Sequence, residues 1–298
     1  MTVTVRFVGT GDSFGSGGRF QTCILVDGPR SRFAVDFGAS SLIALAQQGI
    51  EHNSIDAVLL THLHGDHCGG VPFLLMDAML AARRSRPLTI AGPREVRARL
   101  DGIREALFPG SRVMTPRFPI DWIELEPGRC QPVLDLLVTP ERARHTPETN
   151  PTALRIQVGD RVLTYTGDTE WTDEVARAAR DSDLLIAECY FYDKPVKWHL
   201  NYPDIRAHAG RAGPRRAGGR APADPHAHEP GDARARGERA RGVRPRRPRG
   251  HALGDSEGGY APVLARPWRR RRARRTRMIV AEPATVSIVR PMSSAPQP

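Results

Sequence analysis

Long apolar runs are missing from this sequence, and so are paired cysteines. No segment of the 298 residues approaches the roughly 20 consecutive apolar positions that a membrane-spanning helix requires. The opening residues 1–8 carry no basic stretch ahead of a long apolar run, so no export signal is expected either. The four cysteines, Cys23, Cys68, Cys130 and Cys189, are scattered and form no CxxC pair, which argues against both a disulfide framework and a thiolate zinc knuckle. A soluble, cytoplasmic protein with reduced thiols is the expectation.

Large aliphatic residues are also scarce in one region: between Arg211 and Gly250 there is a single one, Val243, among Arg, Ala, Gly and Pro. The net charge of +11 has its source in the same part of the chain. Residues 206–298 hold 22 Arg and no Lys against 7 acidic residues, which leaves 22 of the 44 basic and 26 of the 33 acidic residues for the first 205 positions. The front is therefore slightly acidic and the back strongly basic, and the overall charge is no nucleic-acid signature for the front. We expect one domain over 1–205 and a low-complexity tail over 206–298. Two readings of the tail stand side by side. It is a disordered basic segment with too little apolar surface to offset its ordering entropy, or it is the product of a one-base slip in a GC-rich coding sequence. Ala223–Arg234 permits codons that, read one base later, spell Leu-Thr-His-Met-His-Met-Ser-Pro-Ala-Met-Leu.

What is present in the front half alternates between strand and helix patterns. Strands are expected over residues 2–8, 23–26, 32–36, 57–60, 88–90, 134–138, 153–158, 161–166 and 183–187, and helices over 41–48, 73–82, 94–107 and 172–179. That order predicts a layered α/β architecture.

Just past the expected strand at 57–60 comes Thr61-His62-Leu63-His64-Gly65-Asp66-His67. Three imidazoles and a carboxylate fall within six residues where a loop can turn them inward, a ligand set suited to borderline divalent cations. Alternating spacing points His62 and His64 to one side, while Asp66 and His67 diverge enough to serve a second ion. The plain alternative is a polar loop that is rich in histidine by chance.

This run resembles the HxHxDH motif of the metallo-β-lactamase superfamily, and the resemblance continues through residues 3–205. Gly9-Thr10-Gly11-Asp12-Ser13 resembles the opening turn of the ribonuclease Z-like branch, Leu88–Pro93 its strand before a helix, and Gly167-Asp168-Thr169 its GDT segment. The resemblance implies an αββα sandwich. It implies two divalent metal ions, zinc first and manganese or iron otherwise, with one held by His62, His64 and His145, the other by Asp66 and His67, and Asp168 bridging. Glu188 and His199 resemble the branch's HEAT and HST elements and would relay a proton to the leaving oxygen, with Asp66 activating the water. Each has a plainer reading: His145 as a loop histidine, Asp168 as a helix cap, Glu188 as a buried structural carboxylate, His199 as packing beside Trp198. Asp36 either orients a ligand histidine or merely ends a strand. The glycines of residues 9–18 read as a turn, with no phosphate-loop pattern among them.

The resemblance implies phosphodiester hydrolysis and, by analogy, a homodimer. Two departures qualify it. The tRNA-maturing members carry a clamping arm between the third-ligand histidine and the GDT aspartate, whereas here Asp168 follows His145 by only 23 positions. A small phosphodiester, such as a cyclic phosphate or nucleotide ester, is therefore expected over precursor tRNA. A lactone, thioester or sulfate ester is the alternative, and a nuclease whose basic tail replaces the arm is a further one. The family's final histidine ligand falls in the Arg-rich region, where His226 and His228 have no strand around them. A rival class is a non-enzymatic nucleic-acid-binding protein acting through residues 268–275.

Overall fold

The structure, a computed structural model, describes residues 2–209, 277–279 and 285–288. In chain order its elements are β1 (Val3–Gly9), β2 (Cys23–Asp27), β3 (Arg32–Val35), α1 (Ser41–Gln47), β4 (Ala57–Leu59), α2 (Gly65–Cys68), α3 (Val71–Leu80), β5 (Leu88–Gly92), α4 (Val96–Leu107) and β6 (Ile120–Glu124). There follow β7 (Gln131–Val133), β8 (Leu136–Arg142), β9 (Thr152–Val158), β10 (Arg161–Tyr165), α5 (Asp173–Ala179), β11 (Leu184–Ile186), α6 (Tyr202–Ala209), β12 (Arg277–Ile279) and β13 (Thr285–Ile288).

The strands form two sheets, in the orders β13-β1-β2-β3-β4-β5-β6 and β12-β11-β10-β9-β8-β7. The central strands β2 to β5 of the first sheet are buried on both faces, and the period of two divides their side chains. Ile24 and Val26 of β2, Phe33 and Val35 of β3, and Ala57 and Leu59 of β4 share one core with Leu154 and Ile156 of β9, Leu163 of β10 and Ile186 of β11. The intervening residues Leu25, Ala34, Val58 and Leu60 join a second core with Leu45 of α1, Leu74 and Leu75 of α3, and Leu100 of α4. On the outer face of the second sheet Ala153 packs with Val175 and Ala178 of α5. Helix, sheet, sheet and helix are thus stacked, as the expected αββα sandwich requires.

Element boundaries moved where backbone geometry, not apolar pattern, sets them. Helix α4 starts at Val96 and not at Arg94, because Glu95 before it takes a left-handed φ of 68°. Helix α5 starts after Thr172, whose side chain accepts from the backbone N–H of Val175 and caps it. Strand β8 starts at Leu136 because Leu134 turns with φ 53°. Strands β6 and β7 went unforeseen: their burial is mixed, and they pair at the edges of the two sheets.

The tail reading falls mostly outside the described residues, as do His226, His228 and residues 268–275. Within that range three described pieces differ from a tail that starts at 206. Helix α6 continues to Ala209, β12 pairs parallel to β11, and β13 pairs antiparallel to β1. Among the described residues no helix is long and apolar enough to cross a membrane.

β3, β4, β5 and β6 run parallel, and so do β10 and β11. Their carboxyl ends deliver Asp36, the run 61–67, the segment 167–169 and Glu188 to one edge of the sandwich. The carboxyl ends of parallel strands are where open α/β sheets commonly place a site.

Candidate metal centre

The anchor of this edge is Asp36, fully buried in a left-handed turn with φ 57°. Its Oδ1 accepts from the backbone N–H of Thr61 at 2.8 Å, and its Oδ2 accepts from the Thr61 hydroxyl at 2.9 Å and from His67 Nδ1 at 2.7 Å. Thr61 in turn ties the sheets together, because its carbonyl accepts from both the N–H and the hydroxyl of Thr152 on β9. The short helix α2 then turns the chain so that His67 comes back under His62, their ring centres 4.1 Å apart. That return needs glycine at position 38, where a Cβ would lie 2.2 Å from the carbonyl oxygen of Asp66.

Hydrogen bonds on the outer ring nitrogens fix which nitrogen of each histidine faces inward. The Thr61 hydroxyl has one proton, which goes to the Asp36 carboxylate, so His62 Nδ1–H donates to that hydroxyl at 3.0 Å and Nε2 points inward with a lone pair. His67 Nδ1–H donates to Asp36 and presents Nε2, which stands 3.3 Å from Asp168 Oδ1. His145 Nδ1–H donates to the carbonyl of Trp198 at 3.1 Å and likewise presents Nε2. Unlike the others, His64 aims Nδ1 inward, 3.2 Å from His62 Nε2 and 3.0 Å from His145 Nε2.

Three groupings of possible ligand atoms result among the described residues: His62, His64 and His145; His62, His67 and Asp168; and His145, Asp168 and His199. The first is the expected set. In the second, Asp168 stands with His67, and Asp66 belongs to none of the three. Its Oδ2 lies 3.5 Å from His67 Nε2, and the residue lines the adjoining cavity. Asp168 is shared by two groupings, and its position follows from Gly167. That residue has φ 57°, and a Cβ on it would sit 2.9 Å from both the Thr152 carbonyl and the Thr61 Cβ.

The donor set fits a divalent cation. Converging nitrogens with inward lone pairs repel one another, and a cation placed among them removes that conflict. Burial pushes the pKa of His62 well down and those of His64 and His145 down, keeping them in the neutral form that ligates. Burial acts the same way on His67, but Asp168 and then Asp36 more than offset it, and its pKa lies well above the usual histidine value. Burial would raise Asp168, yet the neighbouring His67, His62 and His199 hold it well below the usual carboxylate range.

Glu188 and His199 meet beside this cluster. Glu188 Oε1 accepts from Thr169 N–H at 2.6 Å, and Oε2 pairs with His199 Nδ1 at 2.9 Å. Burial, followed by the negative charge of Asp168, pushes the Glu188 carboxyl up to about 7. For His199, burial lowers the pKa but the bond to Glu188 and its charge outweigh that, leaving it raised. The pair thus holds a proton near neutrality.

A cavity of about 380 Å³ opens over these groups, with Phe14, Tyr190, Phe191 and Tyr192 among its lining residues. The loop after β1 closes one side, held in a turn by Asp12, which accepts from the N–H groups of Phe14 and Ser16 and from the Ser16 hydroxyl. The glycines of 9–18 therefore serve a turn, as expected, and one that walls the cavity. Sequence reasoning did not single out Thr61, Trp198 or the aromatic lining. Thr61 works through a hydroxyl and backbone, Trp198 through a carbonyl, and none of these leaves a mark on residue spacing.

With this geometry established, similarity to known proteins acquires meaning. A family model described as anti-Pycsar protein Apyc1 matches residues 3–209. A ribonuclease Z of Lachnoclostridium phytofermentans is 31% identical over 144 residues, 47% of this chain and 44% of its own length. The matched segment thus spans less than half of that relative. Among solved structures, the metallo-β-lactamase fold protein YhfI of Bacillus subtilis aligns over 69% of this chain and 80% of its own, with a TM-score of 0.55 and 22% identity. The short form of human tRNase Z aligns over 70% and 88%, with a TM-score of 0.58 and 21% identity. Likenesses at that identity establish the fold, which is that of the metallo-β-lactamases.

Proposed function

The chain belongs to the anti-Pycsar protein Apyc1 family, and from that premise we propose that it is a metal-dependent hydrolase with two divalent ions, acting on a small phosphodiester such as a cyclic phosphate or nucleotide ester. The observation that carries this reading is the placement of the Asp168 carboxylate between inward-facing imidazole nitrogens, its Oδ1 3.3 Å from His67 Nε2 and its Oδ2 3.9 Å from both His62 Nε2 and His145 Nε2. His62, His64 and His145 would hold one ion and His67 the other, with the Asp168 carboxylate standing between the two sets and Asp66 at the rim. Zinc suits an imidazole-rich site, with manganese or iron as substitutes. Bound there, divalent ions would make a nearby water more acidic and neutralise negative charge that develops on the phosphoryl oxygens.

The chain's own residues supply the proton handling. Asp66, facing the cavity beside His67, orients the attacking water and takes its proton. The Glu188–His199 pair, protonated near neutrality, returns a proton to the leaving oxygen. A small substrate is favoured because β9 and β10 are joined by the tight turn Gly159-Asp160, leaving no arm between His145 and Asp168. The cavity also matches a mononucleotide-sized ligand better than a folded RNA, at the lower end of the roughly 300–1,000 Å³ range of small-molecule sites. A homodimer is part of the proposal by analogy alone.

The test is turnover by the zinc-loaded full chain of bis(p-nitrophenyl) phosphate, a cyclic nucleoside monophosphate, a precursor tRNA, a lactone and a thioester. Hydrolysis of the small diesters with the tRNA left intact is the expected outcome. Inert diesters beside a hydrolysed lactone or thioester would replace the phosphodiester with the other ester class.

A further inference from the structure

Trp198, with φ 70°, is the bulkiest of the seven non-glycine residues with positive φ among the described residues. Unlike Asn or Asp, tryptophan has no short polar side chain to relieve the left-handed conformation, and such outliers persist where the surroundings over-determine them. Here the surroundings grip both faces of one residue. Its N–H donates to Glu170 Oε1 at 2.9 Å, and its carbonyl accepts from His145 Nδ1 at 3.1 Å. Glu170 is itself fixed against the neighbour of His145: its N–H donates to the Arg144 carbonyl at 3.0 Å, and its Oε2 stands 3.4 Å from the Arg144 guanidinium. Arg144 N–H donates to the Thr169 hydroxyl at 2.9 Å. A closed circuit therefore runs from His145 through Trp198, Glu170 and Arg144 back to His145, joining the loop after β8, the segment after β10 and the loop after β11. The indole lies edge-on to the His145 ring, centroids 6.4 Å apart, with Lys197 Nζ 4.1 Å over its face.

We propose that Glu170 and Trp198 are positioning residues for His145: Glu170 holds the Trp198 peptide in its left-handed turn, so that the carbonyl keeps the proton of His145 on Nδ1 and Nε2 free to ligate. His199 follows Trp198 directly and pairs with Glu188. The same peptide that aims the metal ligand thus sets where the proton-relay histidine begins, and metal binding and closure of this loop are coupled. By reciprocity, weakening either one weakens the other.

The inference rests on reading His145 as a metal ligand, and the experiment separates the two. Zinc affinity of the full chain is measured by competition with a chromophoric chelator, alongside circular dichroism and hydrogen–deuterium exchange across residues 188–201. Glu170→Ala is expected to weaken zinc binding by about 10–100-fold with the dichroism unchanged. Glu170→Gln, whose amide oxygen still accepts from Trp198 N–H, is expected to keep wild-type affinity. Trp198→Gly adopts a left-handed turn without strain and retains the carbonyl, so it binds zinc normally, whereas Trp198→Pro cannot reach positive φ and loses affinity as Glu170→Ala does. Zinc is expected to slow exchange across 188–201 in the wild type and not in Glu170→Ala. Wild-type affinity in Glu170→Ala, or equal losses in Trp198→Gly and Trp198→Pro, overturns the proposal while leaving the metal site standing. Should Glu170→Ala fail to fold, the glycine and proline pair decides. No zinc binding by the wild-type chain overturns both readings.

Discussion

Replacing Asp36 with Asn isolates the orienting role of a buried carboxylate from its backbone role. Asn tolerates left-handed φ as Asp does, so the 57° turn survives. Its amide oxygen can still accept from the Thr61 N–H and hydroxyl, but its NH₂ then faces His67 Nδ1–H, 2.7 Å from the oxygen it replaces. Two donors cannot share that contact. Either the contact is lost, at about 1–3 kcal/mol for buried groups left unpaired, or the His67 proton moves to Nε2 and the inward lone pair disappears. Both outcomes weaken metal binding, and a loss of about 10–100-fold in zinc affinity is expected. Asp36→Ala strands all three donors and is expected to destabilise the fold by about 3–5 kcal/mol. Chelator competition reads the affinity and thermal unfolding reads the stability. An Asp36→Asn protein that remains folded and binds zinc as tightly as the wild type refutes the orienting role.

Further outcomes follow from the same geometry. Glu188→Gln removes a carboxyl raised to about 7 and is expected to lower kcat for a small diester by about 10²–10⁴, erasing an ionisation near neutrality from the pH–rate profile; an unchanged profile excludes Glu188 as that group. In chelator-treated protein this carboxyl, raised above its ordinary 4.5, binds more protons folded than unfolded, so it lowers stability as pH climbs from about 4.5 to 7. Denaturant titrations across that window should show Glu188→Gln flattening the decline. Chelation is expected to abolish hydrolysis and added zinc to restore it, while His64→Ala resists restoration; activity that survives chelation discards the metal reading. Gly167→Ala forces a Cβ against the Thr152 carbonyl and Thr61, and is expected to cost about 1–3 kcal/mol in thermal unfolding.

The histidine run was legible because its chemistry is compressed into consecutive residues: spacing alone points His62 and His64 the same way, and the structure brings their inward nitrogens to 3.2 Å. His145, Asp168, Glu188 and His199 could be named only through resemblance, since each is a single polar residue in a segment that follows a strand and has an ordinary structural reading. The strands of the two buried sheets announced themselves by apolar runs, whereas β6 and β7, with mixed burial, did not.

By itself the sequence determined the layered α/β class, the crowding of three imidazoles and a carboxylate into residues 62–67 and the 23-position interval between His145 and Asp168, because these depend on local pattern and chain length. Only the tertiary structure decided the protonation pattern and the partnerships. Asp36 and His67 are 31 positions apart, His64 and His145 are 81, and Trp198 lies 53 from the histidine it orients. Contacts over such separations are fixed by how two sheets pack their strand ends together, and the carbonyls and peptide turns that complete them are shared by every amino acid.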